Sequence, residues 1–301
     1  MILLLAALLG ILAQRTGLCM VKSVQRLRTR QPGLLIVILG CGVWFWLATP
    51  VFTDTPWSKG ITRYASTWPF ALGGGLFGIA AAFNQGCTLS TLTALSRGHY
   101  HMLATMAGWV LGWWWLGWLS PVIEYQSLGG AHPPPWWLIG IAAVGSVLII
   151  WRLAPSHRRI YAGVMVFGAT AGVLGIMEPS WSPSQLIEQV STRVLTGRLP
   201  WPDMQRVLIS IALVAGMILA ATPRVSWRQY QSGPTRWAKH LLAGSVMGVG
   251  SALALGGNDS QLLLALPSGS PAAALALASM IAGIWLGLAI EQRYLCRKKA
   301  L

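Results

Sequence analysis

Hydrophobic positions along the chain come in runs of about twenty, separated by short polar stretches, with neither the strict alternation of a half-buried strand nor the mixed face of a soluble helix. The runs cover residues 2–21, 33–52, 68–86, 101–119, 136–152, 160–178, 204–222, 238–256 and 271–290. A helix needs roughly 20 apolar residues to cross the hydrocarbon of a bilayer. The pattern therefore predicts an all-α polytopic membrane protein of about nine transmembrane helices, with its termini on opposite sides. The third run ends in a polar cluster, Phe83-Asn84-Gln85-Gly86-Cys87-Thr88, followed by a short apolar piece to Leu95 and a basic turn, Ser96-Arg97-Gly98-His99. Such a cluster facing lipid would cost several kcal/mol for each unpaired backbone group. It reads as a broken helix lining a protected path, with Cys87 and Thr88 at the start of a re-entrant half-helix.

The second half repeats this arrangement. At a shift of 170 positions Gly74 meets Gly244, Gly78 meets Gly248, Gly86 meets Gly256 and Leu92 meets Leu262; at a shift of 175, Gly108 meets Gly283 and Gly112 meets Gly287. The second break reads Gly256-Gly257-Asn258-Asp259-Ser260-Gln261. With nine spans the two copies run in opposite directions. The chain divides as a single membrane domain, 1–301, with a first repeat at 1–119, a linker span at 136–152 and a second, inverted repeat at 160–291. Broken helices at matching places in inverted repeats point to a transporter's binding path. Glycines also let membrane helices approach closely, and that packing reading suits Gly73, Gly108, Gly112, Gly283 and Gly287.

Charge fixes the orientation. The chain is 54% hydrophobic and 10% charged, with a net charge of +15. A net positive charge of that size could indicate a nucleic-acid partner, but no basic soluble segment exists to hold one. Sixteen of the 22 Lys and Arg fall in alternate loops (22–30, 96–100, 152–159, 223–239 and the tail after 291), whereas five of the seven acids, Asp54, Glu124, Glu178, Glu188 and Asp203, fall in the others. Positive loops face the cytoplasm, which places the N-terminus in the periplasm and the C-terminus in the cytoplasm. No positive charge precedes the first apolar run, so it reads as a retained span rather than a signal peptide. Residues 184–195 read as an amphipathic helix on the outer surface.

Four cysteines show neither a CxxC pair nor a spacing with histidine that would hold a metal. Cys41 lies mid-span and reads as packing, and Cys296 sits in the basic tail. Cys19 and Cys87 differ: Cys87 stands at the start of a half-helix, and Cys19 lies near the inner end of the first span, in Gln14-Arg15-Thr16-Gly17-Leu18-Cys19-Met20. Half-helix starts carry unpaired N–H groups that favour an anion, and Asn84, Gln85, Gly86, Cys87 and Thr88 form one such start, Gly257, Asn258 and Asp259 the other. Asp259 can equally be the N-cap of its half-helix. Arg15, one turn before Cys19, either faces the path or snorkels to the interface.

The Gly86-Cys87-Thr88 break, the Gly17-Leu18-Cys19 end of the first span, and the Gly256-Gly257-Asn258-Asp259 break followed by Leu262-Leu263 and Leu266-Pro267 resemble the YeeE/YedE sulfur-transport family. The resemblance implies an hourglass-like inverted repeat in the bacterial inner membrane. It also implies inward movement of a small sulfur oxyanion, thiosulfate, along a path of cysteine thiols, with Cys19 and Cys87 as path cysteines and a TusA-like cytosolic sulfur carrier as partner. No cofactor is implied. The chain departs from the pattern at the second break, where Gly257 followed by Asn258-Asp259 stands in place of a third cysteine. A membrane-bound thiol protein that accepts sulfane sulfur on Cys19 or Cys87 is the alternative, and a structural subunit of another transporter a further one. His99 and His101, at an inner turn, read as solvated or capping residues rather than catalytic ones.

Overall fold

The structure, a computed structural model, describes residues 1–48, 61–119, 123–131, 135–152, 155–197, 199–221 and 233–299. Asp54, Lys59, Pro133, Pro134, Arg198 and the basic residues Arg224 and Arg228 lie outside the described residues.

Every one of the nine apolar runs contains a helix. They are α1 (Ile2–Thr16), α3 (Gly33–Ala48), α4 (Trp68–Asn84), α6 (Met102–Leu119), α7 (Trp136–Arg152), α8 (Pro155–Met177), α10 (Met204–Ala221), α11 (Pro234–Leu253) and α13 (Pro271–Lys299). Short helices follow the breaks: α2 (Met20–Arg28), α5 (Thr88–Leu95), α9 (Pro183–Thr196) and α12 (Asn258–Ser260), the last continued by a π-helical turn at Gln261–Ala265. Among the described residues four segments are long and apolar enough to cross a membrane by themselves: Ile2–Arg28, Arg158–Met177, Met204–Ala221 and Pro271–Arg293. Pro234–Leu253 with Asn258–Ala265, bent by 43°, makes a fifth. A two-stranded antiparallel ribbon, β1 (Thr62–Tyr64) with β2 (Ser127–Gly130), is the sheet among the described residues.

Apolar and polar surfaces are distributed as lipid demands. Large side chains face outward, Trp115 at 72% and Leu242 at 68% exposure, whereas Asn84 and Asp259 are sealed inside at 0% and 1%. A water-soluble protein rarely leaves so much contiguous apolar surface uncovered. The chain is a multi-pass helical membrane protein whose largely apolar core encloses a few polar residues such as Asn84 and Asp259.

The helices pack in two groups. In one, α1 lies against α10 and α8, and α3 against α8; in the other, α4 lies against α13 and α11, and α6 against α11. Contact is close enough to require glycine. A Cβ on Gly10 of α1 would collide with the Leu213 carbonyl of α10, and one on Gly216 of α10 with the Ala7 carbonyl of α1. Gly108 and Gly112 sit in the same way against Leu241 and Ser245 of α11, and Gly283 and Gly287 against Gly75 and Ile79 of α4, so the packing reading of these glycines holds. The short helices dock onto these groups, α2 on α13 and α9 on α6.

The first apolar run differs from its predicted extent of 2–21. Gly17 takes a left-handed conformation (φ 62°), its N–H bonds to the Ala13 carbonyl, and Cys19 is extended before α2 begins. Residues 22–28, read from sequence as loop, are the rest of a short amphipathic helix. The outer helix predicted at 184–195 is α9, starting one residue earlier.

Candidate functional site

Two breaks with matching backbone geometry meet at the centre of the molecule. At the first, Gln85 is left-handed (φ 59°), its N–H bonds to the Ala82 carbonyl and the N–H of Gly86 to that of Ala81. This is the pairing that closes a helix C-terminus in the Schellman motif, with Gln85 in the position glycine usually takes. At the second, Leu255 is left-handed (φ 54°), its N–H bonds to Ala252 and that of Gly256 to Ser251. The next residue is extended at both places, Cys87 (φ −86°, ψ −175°) and Gly257 (φ −76°, ψ −176°), and each is the N-cap of the following half-helix. Ser90 Oγ donates to the Cys87 carbonyl at 3.1 Å, and Ser260 Oγ to the Gly257 carbonyl at 3.1 Å.

The two half-helix starts touch. The N–H of Thr88 donates to Oδ1 of Asn258 at 3.2 Å. Cys19 at the α1–α2 break and Cys87 line one small cavity together with Cys41, Asn258 and Asp259, enclosed by Leu18, Met20 and Leu89. The Cys19 and Cys87 thiols are side-chain neighbours, and Ser90 Oγ donates to Cys87 Sγ at 3.3 Å. All three thiols are buried and free of disulfides. The cavity holds about 20 Å³, enough for a water molecule and no more. Cys41, read from sequence as packing, therefore contributes a third thiol from α3. A lone cysteine in an apolar run carries no sequence signal for such a role.

On the other side of Asp259 the α8–α9 break supplies serines. Ser182, the N-cap of α9, donates through Oγ to Asp259 Oδ2 at 2.7 Å; the Ser184 N–H donates to the same oxygen at 3.1 Å. Gly257 N–H donates to Ser184 Oγ at 3.3 Å. The sequence shows Ser182-Pro183 as a helix start but gives no sign that it would meet residue 259. Beyond lies a vestibule of about 270 Å³ on the side of the β-ribbon, lined by polar groups including Glu188, Ser260, Gln261 and Ser270. Glu188 belongs to α9. Burial among its neighbours pushes its carboxyl up to about 7, with Arg206 pulling the other way.

Asn84 braces the first break. Its Nδ2 donates to the Gly86 carbonyl (2.9 Å) and to Thr91 Oγ1 (3.0 Å), and its Oδ1 accepts from Thr105 Oγ1 (2.6 Å) and lies 2.8 Å from His240 Nδ1. A carboxamide oxygen only accepts, so Nδ1 of His240 carries the hydrogen. The His240 ring packs on His101 with centroids 4.5 Å apart, and His101 on His99 at 5.6 Å. His101, expected to be a solvated turn residue, is buried.

Of the candidate residues, the structure brings together Cys19, Gly86, Cys87, Thr88, Asn84, Gly257, Asn258 and Asp259. Gln85 and Arg15 are exposed and do not line the cysteine cavity. The family model described as sulphur transport matches residues 131–286, which is more than half of the chain. The chain belongs to the YeeE/YedE sulfur-transport family. The matched span holds the second break, with Gly257, Asn258 and Asp259, whereas the three buried thiols lie before it. No curated protein matches this sulfur-transport chain.

Proposed function

We propose that this protein imports a small sulfur-containing anion, thiosulfate first among them, across the bacterial inner membrane through the cavity between Cys19, Cys87 and Asp259. The observation that carries the reading is the meeting of two half-helix starts at Thr88 and Asn258, with a polar vestibule on one side and buried thiols on the other. Neutral thiols can pass an anion along by weak S–H hydrogen bonds without repelling it, and the α5 N-terminus adds the positive end of its dipole. The transport role of the family suits a site in which buried thiols line a small cavity where two half-helix starts meet.

The proposed architecture is nine spans in one membrane domain, a first repeat at 1–119, a linker α7, and an inverted second repeat at 160–291. Helix packing supports it. Exchange α1 with α8, α3 with α10, α4 with α11 and α6 with α13, and the pairings of these eight helices described above are reproduced: α1–α10 becomes α8–α3, and α4–α13 becomes α11–α6, while α1–α8 and α4–α11 map onto themselves. The short helices obey the same exchange, α2–α13 becoming α9–α6. This topology puts the vestibule outside, the N-terminus in the periplasm and the C-terminus in the cytoplasm, where a TusA-like carrier would receive the sulfur. The cavity at the thiols is smaller than such an ion, so passage requires the breaks to part.

Uptake of radiolabelled thiosulfate into proteoliposomes, with wild-type protein and with Cys87→Ala, tests the reading. Uptake by wild type and its loss in the variant are expected; equal uptake by both removes Cys87 from the mechanism. The closeness of the Cys19 and Cys87 thiols favours one alternative, acceptance of sulfane sulfur, in which mass spectrometry of protein exposed to a sulfur donor finds a persulfide on one of them.

A further inference from the structure

The linker span α7 packs on α3 and α8 and leaves a groove between the three. The groove has a volume of about 190 Å³, and its walls are aliphatic and aromatic, with Val37, Gly40 and Trp44 of α3, Ile150 of α7 and Met165 of α8 among them. Ser146 and Tyr161 are the polar side chains on it. An apolar cavity of about 150 Å³ already stays dry and takes up a benzene-sized molecule. The groove has the length of one leaflet. Gly33 and Trp44 both line it, and α3 rises about 16 Å between them, half of the roughly 30 Å of hydrocarbon in a bilayer. Glycine also keeps it open. A Cβ on Gly40 would meet nothing within 4 Å, so no neighbouring helix requires glycine there, in contrast to Gly10 or Gly108.

Charge stands at one end of the groove. Gly33 opens α3, Arg152 closes α7, and Arg158 and Arg159 lie early in α8. Arg152 follows the lining residue Ile149 by three positions, and Arg158 precedes Tyr161 by three and Met165 by seven. Those spacings put each arginine on the helix face that lines the groove. Arg158 donates through Nη2 to the Trp151 carbonyl at 2.6 Å, which holds its guanidinium at the C-terminal end of α7. Arg26 of α2 is an electrostatic neighbour of the Tyr161 hydroxyl. No acidic residue occurs in 22–53 or 125–177, so the segments that form the groove and its mouth offer these cations no carboxylate.

We propose that this groove binds an anionic phospholipid, with one acyl chain along α3 between α7 and α8 and the headgroup phosphate among Arg152, Arg158 and Arg159. Basic pockets between transmembrane helices suit such headgroups. A zwitterionic lipid brings the same chain, but the cation of its headgroup opposes the arginines. The bound lipid ties the linker span to α3 from the first half of the chain and to α8 from the second. The site does not rest on the transport reading; its place in the cytoplasmic leaflet follows from the proposed topology.

The full chain, purified in detergent, is titrated with phosphatidylglycerol and separately with phosphatidylcholine of the same acyl chains. Native mass spectrometry counts bound lipid while the thermal midpoint is followed. Wild type is expected to hold one phosphatidylglycerol about tenfold more tightly than phosphatidylcholine and to gain a few degrees on saturation. Gly40→Leu fills the groove. Its lipid-free midpoint should match or exceed that of wild type, because the new Cβ meets no neighbour, and its phosphatidylglycerol shift should be lost. Replacing Arg152, Arg158 and Arg159 by Gln, singly and together, should narrow and then remove the preference between the two lipids. Should Gly40→Leu fail to fold, phosphatidylglycerol carrying a diazirine in one acyl chain is photolysed on wild type, and labelled peptides should fall in 33–44 and 146–165. Equal retention of both lipids by wild type, an undiminished shift in folded Gly40→Leu, or label confined to other helices overturns the site. A shift lost in Gly40→Leu, with the lipid preference unchanged in the arginine variants, keeps the groove and overturns the headgroup assignment. Inorganic phosphate that reproduces the shift overturns a lipid as the ligand.

Discussion

Asn258 reaches from the second break to the first and accepts, through Oδ1, the backbone N–H of Thr88 at 3.2 Å, 170 residues earlier in the chain. The shift that aligns the two halves of the sequence is the same 170, so each residue stands at the equivalent place in its own break. One residue thus satisfies the first orphan donor of its counterpart's half-helix, a task that side-chain caps usually perform locally. Neither Cys87 nor Gly257 caps its own half-helix with a side chain.

Asn258→Ala leaves the Thr88 N–H buried without its partner. A loss of about 1–3 kcal/mol is expected for a buried donor left unmatched, seen as a lower thermal midpoint in detergent. The uptake rate should fall as well, because the half-helix that presents Cys87 loses its anchor. Asn258→Asp is expected to retain more stability, since a carboxylate oxygen also accepts at a helix N-terminus, yet to slow the anion further. That split between stability and uptake separates a positioning role from simple damage.

The sequence made much of this legible and hid a definable part. Each apolar run announced a helix, and the polar clusters after Phe83 and at Gly256 announced two breaks, because both signals are local in the chain. The left-handed Gln85 and Leu255 were not announced, since neither is a residue that favours that conformation. The α1–α2 and α8–α9 breaks were also missed: Gly17 and Ser182-Pro183 are ordinary helix punctuation, and what makes them part of the site is contact with residues up to 77 positions away. The burial of Cys41 beside Cys19 and Cys87 and the joining of Asn84 to His240, 156 positions apart, are tertiary facts of the same kind. Arg15 looked costly inside a span, but α1 ends at Thr16, and at that helix end the guanidinium can reach the interface.

Cys87 and Cys41 should differ in what they tolerate. Cys87 is bonded by Ser90 Oγ and stands at a half-helix start, so Cys87→Ala is expected to abolish anion uptake and Cys87→Ser to retain a fraction through its hydroxyl. Cys41 also lines the cavity, but from within a helix and not at a half-helix start. Cys41→Ala should lower uptake only a few-fold while costing about 1 kcal/mol in packing. Initial uptake rates and thermal midpoints of the three proteins check this ordering; a Cys41→Ala protein as inactive as Cys87→Ala would put Cys41 on the same footing.

Asn84 carries four interactions that tie the first break to α5, α6 and α11. Asn84→Leu, close in volume, removes all of them and leaves Thr105, Thr91, His240 and the Gly86 carbonyl to find other partners. A destabilisation of about 3 kcal/mol or more is expected, since networks lose more than a single bond. Thr105→Val removes one acceptance and should cost about 1 kcal/mol. Hydrogen exchange at residues 85–88 should rise in Asn84→Leu and stay near wild type in Thr105→Val.

Glu188 gives the vestibule a pH dependence. Burial raises its carboxyl from 4.5 to about 7, so the folded protein holds a proton there that the unfolded chain has already released. The stabilising contribution of the neutral form is fully present below 4.5 and is lost as pH rises towards 7. Thermal midpoints of wild type should therefore fall over that window relative to Glu188→Gln, which has no proton to lose. Transport should follow the same titration. Once ionised, Glu188 places a negative charge on the wall that an entering anion must pass, and Arg206 beside it offsets only part of that charge. Half-saturating thiosulfate for wild type should rise about two- to fivefold between about pH 6 and pH 8, less at high salt, while Glu188→Gln should show a flat profile. A slope that survives in Glu188→Gln would move the titrating group elsewhere.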